Sequence, residues 1–281
     1  MSTSAEQTTP RLIGRESELK LLTAALRAGR HVLIEGQVGV GKTRLAQEAA
    51  RALGREVIRV DGDERFNEDK LCGWFDPPTV LAKGYVAEAF VPGPLYRAMS
   101  RGALLFINEL NRMPEGAQNL LLPALDEGIL EVPRLGSMQA EEGFLIVATQ
   151  NPREFVGTAL LSEALRDRFE LLVLDYQDFD EEVQIVAQLT GIEDRTLLKQ
   201  AVFVARATRT HPLIKRGASV RAAASVALIA AQLGGVEAVP QAARMALPTR
   251  VEFKEDLEQD PKQSLAEFFA ELFEKKKTAS A

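Results

Sequence analysis

Residues 31–54, HVLIEGQVGVGKTRLAQEAARALG, decide the fold. Residues 31–35 are apolar and β-branched and read as a buried strand. GQVGVGKT then leads into a helical pattern at Leu45, Ala46, Ala49 and Leu53, closed by Gly54. Gly36, four further residues, then Gly41, Lys42 and Thr43 match the phosphate-loop pattern, in the strand-to-helix setting that its mechanism needs. Glycines let backbone N–H groups curl around the β- and γ-phosphates, and the helix N-terminus adds its positive end. Lys42 neutralises phosphate charge, and Thr43 offers a hydroxyl to Mg²⁺. The candidate nucleotide-binding residues of this loop are Gly36, Val38, Gly39, Val40, Gly41, Lys42, Thr43 and Arg44.

Working outward, leucines and an alanine at positions 19, 22, 25 and 26 predict a helix over residues 16–28, ended by Gly29. Short apolar runs at 57–60, 103–107, 144–148 and 169–174 predict four more strands. Helical stretches between them, including 117–125, imply an α/β domain whose parallel sheet is covered on both faces. A P-loop enzyme also needs an acid at the end of a neighbouring buried strand. LLFINEL, residues 104–110, supplies it: Glu109 emerges at the carboxyl edge, where ligands of open α/β sheets sit, as general base or water-positioning residue. Thr43, Asn108 and Glu109 are the candidate metal-side residues.

Beyond about residue 178 the strand signal fades. Stretches 181–189, 196–208 and 218–233 read as alanine- and leucine-rich helices of a second, all-helical domain. The expected organisation is a disordered tail at 1–10, a nucleotide domain at 11–177, a helical lid at 178–253, and an amphipathic helix with its tail at 254–281. Asp260 and Pro261 would cap that last helix, whose apolar face is Leu265, Phe268, Phe269, Leu272 and Phe273, a stripe expected to pack on a subunit.

Composition narrows the function classes. The 281 residues carry 34 basic and 40 acidic side chains, a net charge of −6, so no bulk positive field gathers nucleic acid or anionic membrane. Nucleic acid and membrane are therefore not expected partners, and a DNA-remodelling motor is disfavoured for the same reason. A single cysteine, Cys72, with only His31 and His211 beside it as soft ligands, argues against a structural zinc site and fits a reducing cytoplasm.

The ordered set GQVGVGKT, LLFINELNRMPEGAQNLLLPALDEG, FLIVATQNP, LSEALRDRF and GASVRAA resembles the AAA+ ATPases of the MoxR family over about residues 11–235. The resemblance implies an αβα sandwich with a five-stranded parallel sheet of order 5-1-4-3-2, a helical lid, and a homo-oligomeric ring, usually hexameric, with ATP and Mg²⁺ at subunit boundaries. It implies that Asn151 places the hydrolytic water, and that Arg168, with Arg166 as competitor, is the finger reaching a neighbour's γ-phosphate. Arg221 would couple the lid to nucleotide, and Ile13, Gly14 and Arg15 would line the adenine site. It further implies a chaperone-like role on a client protein, often one with a von Willebrand A domain or an enzyme awaiting metal insertion or activation.

Two features stand apart from this pattern. The family usually carries aspartate where this chain has Asn108, and a neutral amide oxygen holds Mg²⁺ less strongly than a carboxylate. Slowed hydrolysis is therefore expected, and an ATP-gated assembly scaffold that scarcely hydrolyses ATP is the alternative reading. Residues 61–101 are long for one helix and its loops. They carry Trp74, Phe75, Tyr85 and Phe90, which either grip a partner or pack locally.

Overall fold

A computed structural model describes residues 12–151, 161–254 and 268–269. The chain forms two compact units. One comprises residues 15–175; the other comprises the described residues from Tyr176 onward together with residues 12–14.

The first unit begins with helix α1 (Glu16–Arg27), strand β1 (Val32–Gly36), helix α2 (Lys42–Ala52) and strand β2 (Val57–Asp61). Helix α3 (Pro94–Ser100) precedes strand β3 (Leu104–Asn108); strands β4 (Leu145–Gln150) and β5 (Glu170–Leu174) follow. All five strands are parallel, in the order β2-β3-β4-β1-β5, which is the expected 5-1-4-3-2 arrangement. Leu104, Leu105, Phe106 and Ile107 of β3 are fully buried, as both faces of a covered parallel sheet require. Three strands run one or two residues past the expected apolar runs, through Asp61, Asn108 and Gln150. Those polar residues complete the ladder at the carboxyl edge, where an apolar pattern carries no signal.

The long connection after β2 breaks into short pieces: helices Glu68–Cys72 and Pro77–Lys83, and a hairpin pairing Gly73–Phe75 with Phe90–Pro92. Three of its aromatics pack locally, Tyr85 on Phe75 and Phe75 on Phe90. Phe90 is buried and packs on Phe75 and Tyr96, while Trp74 and Tyr85 are about half exposed. A second hairpin pairs Ile129–Val132 with Gly136–Gln139, and its Arg134 guanidinium lies 3.8 Å over the Tyr85 ring.

The second unit is built on α4 (Phe179–Thr190), α5 (Arg195–Thr210), α6 (Val220–Gln232) and α7 (Val239–Ala246). Asp178 and Glu181 form a reciprocal capping box that starts α4. Gln177 donates to the Ile13 carbonyl, and a side chain at Gly14 would collide with the Glu181 carboxylate, so Ile13 and Gly14 pack with this unit. The unit is helical with one addition, a two-stranded antiparallel ribbon of Ile214–Arg216 and Glu252–Phe253, too short to show as a strand pattern. Phe268 and Phe269 are buried in this unit's own core, Phe268 with its ring 4.8 Å from His211. For these two residues the expected packing on a subunit takes place within the chain's own helical core. Asp260, Pro261, Leu265, Leu272 and Phe273 lie outside the described residues, as do the 1–10 tail and Pro152.

Candidate nucleotide site at the carboxyl edge of the sheet

The phosphate loop joins β1 to α2 at the edge where β1 meets β4 and β5. Gly39 and Gly41 take left-handed φ of 86° and 95°, which a side chain would resist, and Gly41 is the N-cap of α2. No side chain caps that N-terminus, and no acidic residue stands in its first turn. The positive end of the helix is thus left to an anion. Val40 is buried and anchors the loop; the Lys42 ammonium donates to the carbonyls of Gly36, at 2.6 Å, and Gln37, at 3.0 Å. Arg44 contributes Nε and Nη2 atoms that are buried without a hydrogen-bond partner among the described residues. Buried cationic donors left unmatched favour a negatively charged ligand. Loop, lysine and hydroxyl therefore fit a nucleoside triphosphate with its Mg²⁺: Gly36–Thr43 and Arg44 would hold the phosphates, and Thr43 with Asn108 would face the ion.

Arg15, expected along the adenine site, is buried. Its guanidinium, 4% exposed, bonds to Glu18 at 2.6 Å, to the Val40 carbonyl at 3.2 Å, and to the Asp175 carbonyl. It ties the loop to α1 and to the end of β5, and so shapes the loop from within the protein.

On the neighbouring strands Asn108 and Glu109 are positioned by residues that sequence reading missed. Glu109 leaves β3 in a left-handed conformation, φ 58°, one of two non-glycine residues so placed among those described. Such backbone strain costs on the order of 1 kcal/mol and concentrates at working sites. Its carboxylate pairs with Arg112 at 2.9 Å, and its N–H donates to the Thr149 hydroxyl at 2.9 Å. Thr149, fully buried on β4, in turn donates to Asn108 Oδ1 at 3.1 Å. Asn108 Nδ2 donates to Asp61 Oδ1 at 2.9 Å, across the register pair Asp61–Asn108. Thr43 Oγ1 stands 3.5 Å from Asn108 Oδ1, a long approach that still brings the end of β3 to the loop. Polar character at or next to the strand end was the only available signal for Asp61 and Thr149.

Asn151, 3% exposed, follows directly on β4. The two arginines of RDRF have different surroundings. Arg168 makes a bidentate pair with Asp126, both contacts 2.5 Å, which holds the Asp126 carboxyl below its usual range. Arg166 is exposed, and no hydrogen bond or ion pair holds its side chain among the described residues. Arg221 opens α6 of the helical unit and is exposed.

Comparison with known proteins gives the family. The model of the AAA domain, dynein-related subfamily, matches residues 31–169. An uncharacterized protein of Bacillus subtilis, YeaC, is 30% identical over 247 residues, covering 78% of this chain and 73% of that one. The chain belongs to the AAA+ ATPases. Another relative of this AAA+ chain is the gas vesicle ATPase GvpN1 of Halobacterium salinarum, 30% identical over 69% of this chain and 63% of that one. The chain thus spans somewhat under two thirds of the gas vesicle protein. Among solved structures, the RuvB Holliday junction branch migration motor of Thermotoga maritima superposes with a TM-score of 0.53 at 20% identity. That superposition covers 83% of this chain and 70% of RuvB, a likeness of fold. Membership carries nucleotide binding. Among the described residues, no helix is long and apolar enough to cross a membrane.

Proposed function

We propose that this AAA+ chain binds ATP·Mg²⁺ at the Gly36–Thr43 loop and hydrolyses it, working as a homo-oligomeric ring that remodels or activates a partner protein in the manner of the MoxR family. The family and the relatives named as ATPases support the hydrolysis. The ring, its hexameric size, a cytoplasmic setting and a client with a von Willebrand A domain rest on the resemblance alone.

The single observation that carries the reading is the convergence at one sheet edge of an uncapped helix N-terminus, Lys42, Thr43 and the strand-end acid Glu109. In this reading the loop amides, Lys42 and Arg44 bind phosphate charge, and Mg²⁺, which Thr43 and Asn108 would hold, would neutralise charge on the transferred phosphoryl group. Glu109 orients the attacking water, and its proton passes to that carboxylate once Arg112 gives it up; Asn151 fixes the water from β4. A cation from the adjoining subunit completes the site, and Arg166 suits this better than Arg168, whose guanidinium Asp126 already occupies. Arg221 reports nucleotide to the helical unit. Removing the γ-phosphate releases these ties, which converts binding energy into motion.

Asn108 favours one second reading, a scaffold assembled by ATP that scarcely turns it over. Phosphate release separates the two: measurable turnover by the wild type, lost by about a hundredfold or more in Glu109→Gln with ATP binding kept, supports the enzyme. No release by the wild type at saturating ATP·Mg²⁺ supports the scaffold.

A further inference from the structure

The strand-end carboxylate that Asn108 lacks is present one strand away. Asp61 closes β2 and lies in direct register with Asn108, and the two side chains meet at 2.9 Å, Asn108 Nδ2 donating to Asp61 Oδ1. The orientation of the amide follows from chemistry. A carboxylate only accepts, so the NH₂ must turn to Asp61, which leaves the carbonyl oxygen toward the hydroxyls of Thr149 and Thr43, able to donate to it. The backbone locks the two strand ends together as well. Gly62 N–H donates to the Asn108 carbonyl at 2.7 Å, and a Cβ at Gly62 would stand 2.1 Å from the Glu109 carbonyl oxygen, so only glycine lets β2 approach this closely. The Arg59 guanidinium pairs with the same carboxylate, Nη2 to Oδ1 at 2.6 Å.

We propose that Asp61 is a positioning residue for the metal side of the site: it fixes Asn108 with its carbonyl oxygen toward Thr43 and supplies, from β2, the negative charge that an aspartate on β3 would have supplied. This inference rests on the ATP·Mg²⁺ reading above. Asp61 and Asn108 then act as one unit with the charge and the oxygen on separate side chains. Placing aspartate at 108 alone would set two carboxylates in contact, so the informative change is the exchange of both residues.

The test is the Mg²⁺ dependence of binding of a fluorescent ADP analogue, which needs no turnover. Asp61→Asn is isosteric at an exposed position. It is expected to raise the Mg²⁺ needed for half-maximal binding about tenfold, the size of one unit charge acting on a divalent ion through solvent-screened protein. Affinity in EDTA is expected to stay unchanged. The exchanged pair, Asp61→Asn with Asn108→Asp, is expected to return the Mg²⁺ requirement to within about twofold of wild type. Arg59→Gln, which breaks the neighbouring ion pair and leaves Asp61 in place, is expected to leave it there too. An unchanged Mg²⁺ requirement in Asp61→Asn, no recovery in the exchanged pair, or an equal loss in Arg59→Gln would each overturn the proposal while the nucleotide reading stands. Wild-type protein that fails to bind the analogue would overturn the nucleotide reading, and this inference with it.

Discussion

At the scale of single residues, the site works by sharing donors and acceptors so that each side chain has one orientation. Thr149 is the hinge of that arrangement, accepting from the Glu109 N–H and donating to Asn108 Oδ1. The same logic separates the two candidate arginine fingers. Arg168 is spent on Asp126 within its own chain, whereas Arg166 is exposed and unheld among the described residues. In the assembled protein, Arg166→Ala is therefore expected to reduce steady-state phosphate release by about a thousandfold while leaving the Tm unchanged. Arg168→Ala is expected to lower the Tm, because it strips Asp126 of its partner. Paired activity and melting measurements decide it: full turnover in the Arg166 variant returns the finger to Arg168.

At the scale of elements, β1 enters the sheet behind a histidine that must stay neutral. His31 Nδ1 accepts from the Ile146 N–H at 2.9 Å, between the rings of Phe144 and Phe169. Burial pushes its pKa down to about 4, and the nearby Arg30 charge adds to this against a backbone hydrogen bond to Leu125 that raises it. The unfolded chain, with an ordinary histidine, takes up the proton more readily, so stability falls as pH drops from about 6.5 toward 4 and is unaffected by His31 above that window. Unfolding by urea at pH 5 and pH 7.5 is expected to show about 2 kcal/mol less stability at pH 5 from this residue. His31→Asn, which keeps an acceptor without a titrating ring, is expected to remove that share; an identical pH dependence in the variant would contradict it. The elements themselves were largely legible in the sequence, because apolar runs and the loop between β1 and α2 obey simple periodicity. The 214–216 ribbon escaped notice because three residues make no period. Asp61, Thr149 and Asp126 escaped because their partners lie 40 or more residues away in sequence, and register alone brings them together.

For the molecule as a whole, the two units hold their cores in different ways. The sheet unit buries long aliphatic strands, while the helical unit packs small residues around a charged centre. There Glu182 is fully buried and pairs with Arg209 at 2.6 Å and Arg206 at 3.4 Å, and the Arg209 guanidinium lies 3.7 Å over Tyr176. Removing Arg209 leaves the buried carboxylate only its longer pairing with Arg206. Arg209→Met is expected to cost about 3–5 kcal/mol in chemical denaturation, with much of it regained when Glu182→Gln is added. Equal stability of Arg209→Met and wild type would show the pair to be dispensable. The family and fold were readable from ordered motifs spread over both units, since each motif is tied to a strand end or helix start. The direction of Arg15, turned into the protein to hold the loop, was not readable, because the same Gly-Arg pair serves either role.

The account of the site rests on one question, whether the turn between β1 and α2 holds a triphosphate. Calorimetric titration of a slowly hydrolysed ATP analogue with Mg²⁺ into wild type and Lys42→Ala answers it directly. The account predicts saturable binding of about one nucleotide per chain by the wild type, weakened beyond detection in Lys42→Ala at unchanged Tm, since the lysine carries the charge that meets the phosphates. Equal binding by the two proteins would contradict it.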